Sequence, residues 1–182
     1  MSIESTIETC RLVADNHYFL IVSGNRWEKN ALRAIIALDE LAANGSLPAD
    51  MKVIVTGASS LSIYRYKMKR ADVFSFKGYV SDTELAKLYH NAYCLIYPSL
   101  NEGFGYPPLE AMYHHVPVIA SAICSIPEVC GDAVLYVSPF SVNEIKCRII
   151  QILDASCHKV FSLRLIKDIV KSRRGRMKTW IN

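Results

Sequence analysis

Six short apolar runs, separated by longer stretches of helical periodicity, constrain this chain more than any other feature. They are Tyr18–Ser23, Lys52–Thr56, Val73–Phe76, Tyr93–Tyr97, Val116–Ala120 and Ala133–Tyr136. A strand with one face in water alternates apolar and polar residues, whereas these runs are apolar nearly throughout, as in strands covered on both faces. Strands of this kind alternating with helices are the pattern of repeated βαβ units around a mostly parallel sheet. The expected fold class is α/β, a single Rossmann-like three-layer domain.

The intervening segments carry helix signals. Asn30–Ala43 sets Leu32, Ile35, Ile36, Leu38 and Leu41 at helical spacing and stops at Asn44-Gly45. Ser81-Asp-Thr-Glu84 reads as a capping box ahead of Leu85, Leu88 and Tyr89. Pro107-Pro108 suits the first turn of a helix through Glu110 to Tyr113, and Ser141 is a cap for a helix over Val142–Leu153. With 182 residues, 51% of them hydrophobic, the chain can bury one ordinary core and is too short for both halves of a two-domain enzyme. The expected division is a lead-in over 1–17, the domain over 18–155 and a basic helix or tail over 156–182.

The net charge of +4 belongs to that tail: from Lys159 onward there are eight Lys or Arg and one acid, Asp168, against 13 basic and 16 acidic residues before it. Such a tail suits an anionic membrane surface or nucleic acid, and equally the solvated face of a terminal helix. Its only aromatics are Phe161 and Trp180, too few for stacking single-stranded bases, so no nucleic-acid partner is expected. No apolar run approaches the roughly 20 residues of a membrane span, and Met1-Ser2-Ile3-Glu4 lacks the pattern of a secretory signal. The expected location is the cytoplasm, with the tail as the candidate for peripheral contact at the inner membrane face. Cys10, Cys94, Cys124, Cys130, Cys147 and Cys157 form no Cys-x-x-Cys pair, which argues for reduced, mostly buried thiols and against a zinc or redox site.

The chemistry concentrates in Tyr97-Pro-Ser-Leu-Asn-Glu102-Gly-Phe-Gly105-Tyr-Pro-Pro-Leu-Glu110. This segment leaves a strand at its carboxyl end and opens a helix, where open α/β sheets bind ligands. Gly103 and Gly105 let backbone N–H groups approach a ligand closely, and the N–H groups at the helix start favour an anion such as a diphosphate. Two carboxylates beside an anion site are consistent only if they face neutral hydroxyls. An ionised carboxylate accepts two such hydrogen bonds, and a nucleotide-sugar carries diols on both sides of its diphosphate.

The Glu-x7-Glu spacing around Gly-Phe-Gly, followed by Pro-Val-Ile-Ala-Ser, resembles the family-4 glycosyltransferases of GT-B fold. Lys77-Gly-Tyr-Val-Ser-Asp-Thr-Glu-Leu85, Ser125-Ile-Pro-Glu-Val129 and Gly131-Asp-Ala-Val-Leu135 are similar, in order, to that family's C-terminal domain. The resemblance spans Tyr18 to Leu153. It implies the C-terminal half of a GT-B fold, with an acceptor-binding N-terminal half outside this chain. It implies a donor nucleotide-sugar, linked to UDP, GDP or dTDP, and transfer to a glycan or lipid-linked acceptor with retained anomeric configuration. The motif looks most like members that build bacterial surface polysaccharides from mannose, rhamnose or similar sugars.

By the same resemblance Glu102 contacts hydroxyls of the donor sugar and Glu110 holds the ribose diol. Gly103, Phe104 and Gly105 line the sugar and phosphate pocket, and Tyr79 and Val80 touch the nucleobase. Arg26 and Lys29, after the first strand, neutralise the leaving diphosphate, the role a metal plays elsewhere. No Asp-x-Asp is present, and no metal or cofactor is expected. His115, Ile123 and Cys124 stand where relatives often carry glycine. Glu128 reads as a helix cap or a ligand contact, and His114-His115 as a polar helix end or an acid/base pair. A non-catalytic nucleotide-sugar-binding module and a related GT-B epimerase or phosphorylase remain open alternatives.

Overall fold

A computed structural model describes residues 18–22, 26–58 and 67–162. The lead-in over 1–17, Gly24, Cys10 and the tail beyond residue 162 lie outside the described residues. All six expected strands are present: β1 (Tyr18–Val22), β2 (Lys52–Thr56), β3 (Phe74–Phe76), β4 (Cys94–Tyr97), β5 (Val118–Ser121) and β6 (Leu135–Val137). They form one sheet in the order β3-β2-β1-β4-β5-β6, and every pairing is parallel. The fold is the expected Rossmann-like α/β domain, and the strand order reverses between β1 and β4.

Alternate residues of each strand feed opposite faces. Phe19, Ile21, Val53, Val55, Cys94, Ile96, Ile119 and Leu135 pack under α1 (Ala31–Ala43) and α5 (Val142–Leu153). Leu20, Leu95, Tyr97, Val118 and Ala120 pack under α2 (Asp82–His90), α3 (Tyr106–Tyr113) and α4 (Ile126–Cys130). Both faces are therefore covered, which explains the unbroken apolar runs. In α1 the small Ala31, Ala34 and Ala37 join Ile35, Leu38 and Leu41 in the core, while Leu32 and Ile36 face outward. The alanines bring α1 close to the sheet and turn part of the apolar stripe to the surface.

The helix signals act as expected. The Ser81 side chain accepts from the Glu84 N–H at 3.3 Å, and that of Ser141 from the Glu144 N–H at 3.1 Å. Gly45, at φ 78°, lets the chain reverse so that the Ser46 N–H reaches the Leu41 carbonyl at 2.9 Å. Beyond α5, residues 155–162 are again helical, started by Asp154, whose Oδ1 accepts from the Ser156 and Cys157 N–H groups. This segment folds back on the domain: the His158 ring stacks on Tyr93 at 4.1 Å, and Phe161 enters the first core.

The cysteines depart from expectation. Cys94 and Cys130 are buried, but Cys124 and Cys147 are exposed and Cys157 is half-buried. The reason for Cys147 is helical phase: Ile145 and Ile149, one turn apart, take the buried face of α5, which turns the position midway between them outward.

Ser141 holds α5 by one exposed cap, so Ser141→Ala is expected to lower the unfolding free energy by about 1 kcal/mol without disturbing the sheet. Urea denaturation followed by circular dichroism checks this.

Candidate functional site

The site forms where the strand order reverses, from the segments that leave the carboxyl ends of β1 and β4. The first is pinned by Asn30, which is buried and adopts a left-handed backbone, φ 56° and ψ 30°. Asparagine tolerates this conformation better than most residues. Its side-chain amide donates to the carbonyls of Pro98 and Pro139, both at 2.8 Å. One residue thus ties the chain after β1 to the chains after β4 and β6. Two bonds from the β4 loop to the Glu28 carbonyl, from the Leu100 N–H at 2.7 Å and the Ser99 hydroxyl at 3.1 Å, reinforce it.

This stitching brings Lys29 and Glu102 together across 73 residues of sequence: Lys29 Nζ donates to Glu102 Oε2 at 2.7 Å. Their side chains are only 12% and 10% exposed. The Tyr97 hydroxyl donates to the same oxygen at 2.5 Å, and Lys29 also stands 5.4 Å from the Tyr97 ring centre. Burial pushes the Glu102 carboxyl up, but the bonds from Lys29 and Tyr97 outweigh it and hold the group below the usual carboxylate range. The loop after β5 supports the backbone, Ser125 Oγ donating to the Glu102 carbonyl at 3.3 Å.

Arg26 is not bonded to this pair and acts on Glu102 only through its charge. Its guanidinium is 67% exposed on its side chain and bonds Glu28 at 2.6 Å. Gly103 has no atom within 4 Å of the place a Cβ would take, so a side chain there would extend into open space. Gly105 is required for its backbone instead: φ is 96°, and an added Cβ meets only ordinary contacts, Ile126 at 3.6 Å and Glu102 at 3.9 Å. Phe104 is half-buried and lies against Tyr106 at 4.8 Å, outside both cores. Glu110 is exposed on α3, eight residues past Glu102. Val80 is half-buried, whereas Tyr79, in the loop after β3, is 92% exposed.

One physical expectation needs correction. Pro107 and Pro108 occupy the first turn of α3, and proline has no N–H. The helix start therefore offers an anion far fewer donors than an ordinary one, and the donors near it belong to Tyr106 and the loop from Gly103 to Gly105. His115 and Cys124 do adopt left-handed backbones, φ 61° and 52°, where glycine is least strained. Glu128 is exposed in the first turn of the five-residue α4. His114 stacks on Tyr89 at 6.0 Å and meets His90 edge-on at 6.2 Å, and burial pushes its pKa down.

Sequence reasoning missed two residues. Tyr97 was legible only as a strand end, although its position directly before the Pro-Ser loop places its hydroxyl over that loop. Asn30 was legible only as a helix start. The rim around the site is also more aromatic than expected, with Trp27 and Phe140 exposed after β1 and β6 and Tyr106 exposed at the start of α3.

The strand order, reversing between β1 and β4 with a Lys–Glu pair at the reversal point, is that of a Rossmann-like α/β domain. Residues 4–165 match the family described as glycosyl transferases group 1, and the chain belongs to it. It is 46% identical over 90 residues to O-antigen chain mannosyltransferase B of Escherichia coli, covering 49% of this chain and 24% of that one. Human alpha-1,3/1,6-mannosyltransferase ALG2 is 34% identical over 127 residues, covering 60% of this chain and 30% of that one. The chain spans about a quarter of the length of the first of these relatives. Among solved structures, trehalose-6-phosphate synthase OtsA superposes with a TM-score of 0.69 at 10% identity, over 94% of this chain and 43% of that one. That likeness establishes the fold.

Lys29→Met removes the main counterweight to the burial of Glu102 and is expected to cost about 2 kcal/mol at pH 7. The sign is set by the depressed carboxyl. Its stabilisation is complete above the unfolded value of about 4.3 and is lost as pH falls through the lower folded value. Urea midpoints between pH 5 and pH 3 should therefore fall more steeply for the unmodified chain than for Lys29→Met.

Proposed function

We propose that this chain is the donor-binding domain of a retaining, family-4-like glycosyltransferase. It takes a sugar from a nucleotide-sugar, linked to UDP, GDP or dTDP, and delivers it to a glycan or lipid-linked acceptor. Transfer requires an acceptor-binding half beyond these 182 residues, a reading supported by the small fraction of its relatives' length that the chain spans. Mannose is the first sugar to test, since the relatives are named as mannosyltransferases, two of them for O-antigen. A cytoplasmic site of action fits such acceptors, with the basic residues after Lys159 as a contact to an anionic membrane face.

The observation that carries this reading is the part-buried pairing of Lys29 with Glu102 at the carboxyl ends of β1 and β4. Both side-chain bonds to Glu102 end on Oε2, which leaves Oε1 to accept sugar hydroxyls. Lys29 supplies positive charge to the diphosphate as the bond to the sugar breaks, and the exposed Arg26 adds to it from the rim. Charge neutralisation by these two side chains takes the place of a metal ion. The open space beside Gly103 receives the sugar and phosphates, Phe104 and Gly105 line it, and Glu110 accepts from the ribose diol. Tyr79, exposed beside Val80, offers a face for the nucleobase. The aromatic rim of Trp27, Tyr106 and Phe140 meets the acceptor half.

Reaction at the anomeric carbon then proceeds with the acceptor hydroxyl entering from the face that the diphosphate leaves. The transition state is oxocarbenium-like, and the configuration is retained.

Calorimetry with UDP, GDP and their mannose conjugates tests the donor site. One nucleotide is expected to bind, with affinity unchanged by EDTA, and Glu110→Ala should weaken nucleoside diphosphate and nucleotide-sugar alike by about tenfold. Failure of every nucleotide to bind a folded sample refutes the reading. Glu102→Gln, tested with the acceptor half supplied, is expected to reduce transfer by about 100-fold or more while leaving nucleoside diphosphate affinity equal or higher, since Lys29 loses its competing charge.

A further inference from the structure

Tyr89 carries a hydroxyl that the fold does not use. The residue is 1% exposed, and among the described residues no atom meets its oxygen in hydrogen-bond geometry. A buried hydroxyl without a partner costs free energy that phenylalanine in the same place avoids, so packing alone does not account for the oxygen.

Its surroundings do. Tyr89 ends the buried stripe of α2, which packs against α3. Its ring lies parallel to the His114 imidazole, 6.0 Å between centres and 10° between planes. His114 stands four residues beyond Glu110, one turn along the same face, and its N–H donates to the Glu110 carbonyl at 3.1 Å. Tyr89 and Glu110 thus lie on the two helices that meet at this contact, and the Glu110 carboxylate acts directly on the Tyr89 hydroxyl. Burial first, and then the Glu110 carboxylate, through its charge and its approach to the hydroxyl, push the phenol far above its usual range, so it remains a neutral donor at every working pH. The two groups stand close without hydrogen-bond geometry, and Glu110 itself is exposed.

We propose that Tyr89 is a positioning residue for Glu110: its O–H closes onto one carboxylate oxygen when Glu110 takes up a ribose diol. A carboxylate has about four acceptor sites, so one bond from Tyr89 leaves room for both ribose hydroxyls. The hydroxyl is fixed in place by the core, whereas Glu110 is a free surface rotor. Holding one oxygen sets the plane of the carboxylate and lowers the entropy lost on binding. This inference rests on the assignment of Glu110 to the ribose.

The test is calorimetry on the 182-residue chain with UDP and GDP, and with the 2′-deoxy counterpart of whichever binds. Tyr89→Phe is expected to weaken the ribonucleoside diphosphate about fivefold and the 2′-deoxy counterpart, which keeps only the 3′-hydroxyl for Glu110, by a smaller factor. The melting temperature should stay equal or rise, since a partnerless buried oxygen has been removed. In a Glu110→Ala background, Tyr89→Phe should have no further effect on binding. Unchanged ribonucleotide affinity in Tyr89→Phe overturns the proposal, as does an equal loss for both nucleotides accompanied by a lower melting temperature, the mark of a purely structural role. The two levels separate cleanly. Weaker binding in Glu110→Ala but not in Tyr89→Phe refutes Tyr89 alone, whereas unchanged binding in Glu110→Ala removes the ribose assignment and this inference with it.

Discussion

The Asn30 amide, bonded to the carbonyls of Pro98 and Pro139, is the constraint on which the site depends. A parallel sheet fixes where its strands end but says little about the loops that leave them, because each βα connection is anchored only at its own two elements. Here a single buried side chain crosses from the β1 exit to those of β4 and β6. It can do so because its own backbone is left-handed, which aims the amide back over the strand ends instead of along α1. Buried backbone carbonyls must be satisfied, so the same bonds that complete the loops also align them. Lys29 is the residue before Asn30 in the chain, and its place over Tyr97 and against Glu102 follows from that anchorage.

The pairing of Lys29 and Glu102 shows how a low-exposure ion pair is tolerated. Removing both charges from water is costly, and the cost is offset here by concentrating two donors on one oxygen. The Tyr97 hydroxyl, rooted in a wholly buried strand, adds a bond that does not move. The carboxylate is kept ionised by neighbours from the chain after β1 and from the end of β4, which makes its state depend on the fold being complete.

Much of this was legible in the sequence, for reasons that can be stated residue by residue. The six strands were visible because burial on both faces leaves no polar phase to confuse the pattern. Ser81 and Ser141 were visible because a capping side chain acts within three residues. Lys29, Glu102 and Glu110 stood out through their resemblance to a known arrangement, and the glycine-like backbones of His115 and Cys124 followed from it. The bonds from Asn30 were not visible, since they join parts of the chain whose proximity only the sheet order creates, and that from Tyr97 depends on how the five-residue turn to Glu102 folds back over the strand end. The exposure of Cys147 depended on helical phase, which an apolar stretch read as a whole conceals. The weak anion site at the start of α3 was legible in principle: Pro107 and Pro108 announce a helix start and, by lacking N–H groups, remove part of what a helix start provides.

A last consequence concerns selectivity. Because Lys29 and Glu102 neutralise one another, an incoming anion that draws the lysine away strands a carboxylate in a poorly hydrated place. Inorganic phosphate can do only that. In the proposed donor role, a molecule bearing both a diphosphate and an array of hydroxyls would satisfy the two partners at once, and the pair would act as a coincidence detector, responding to the conjunction of negative charge and sugar more strongly than to either alone.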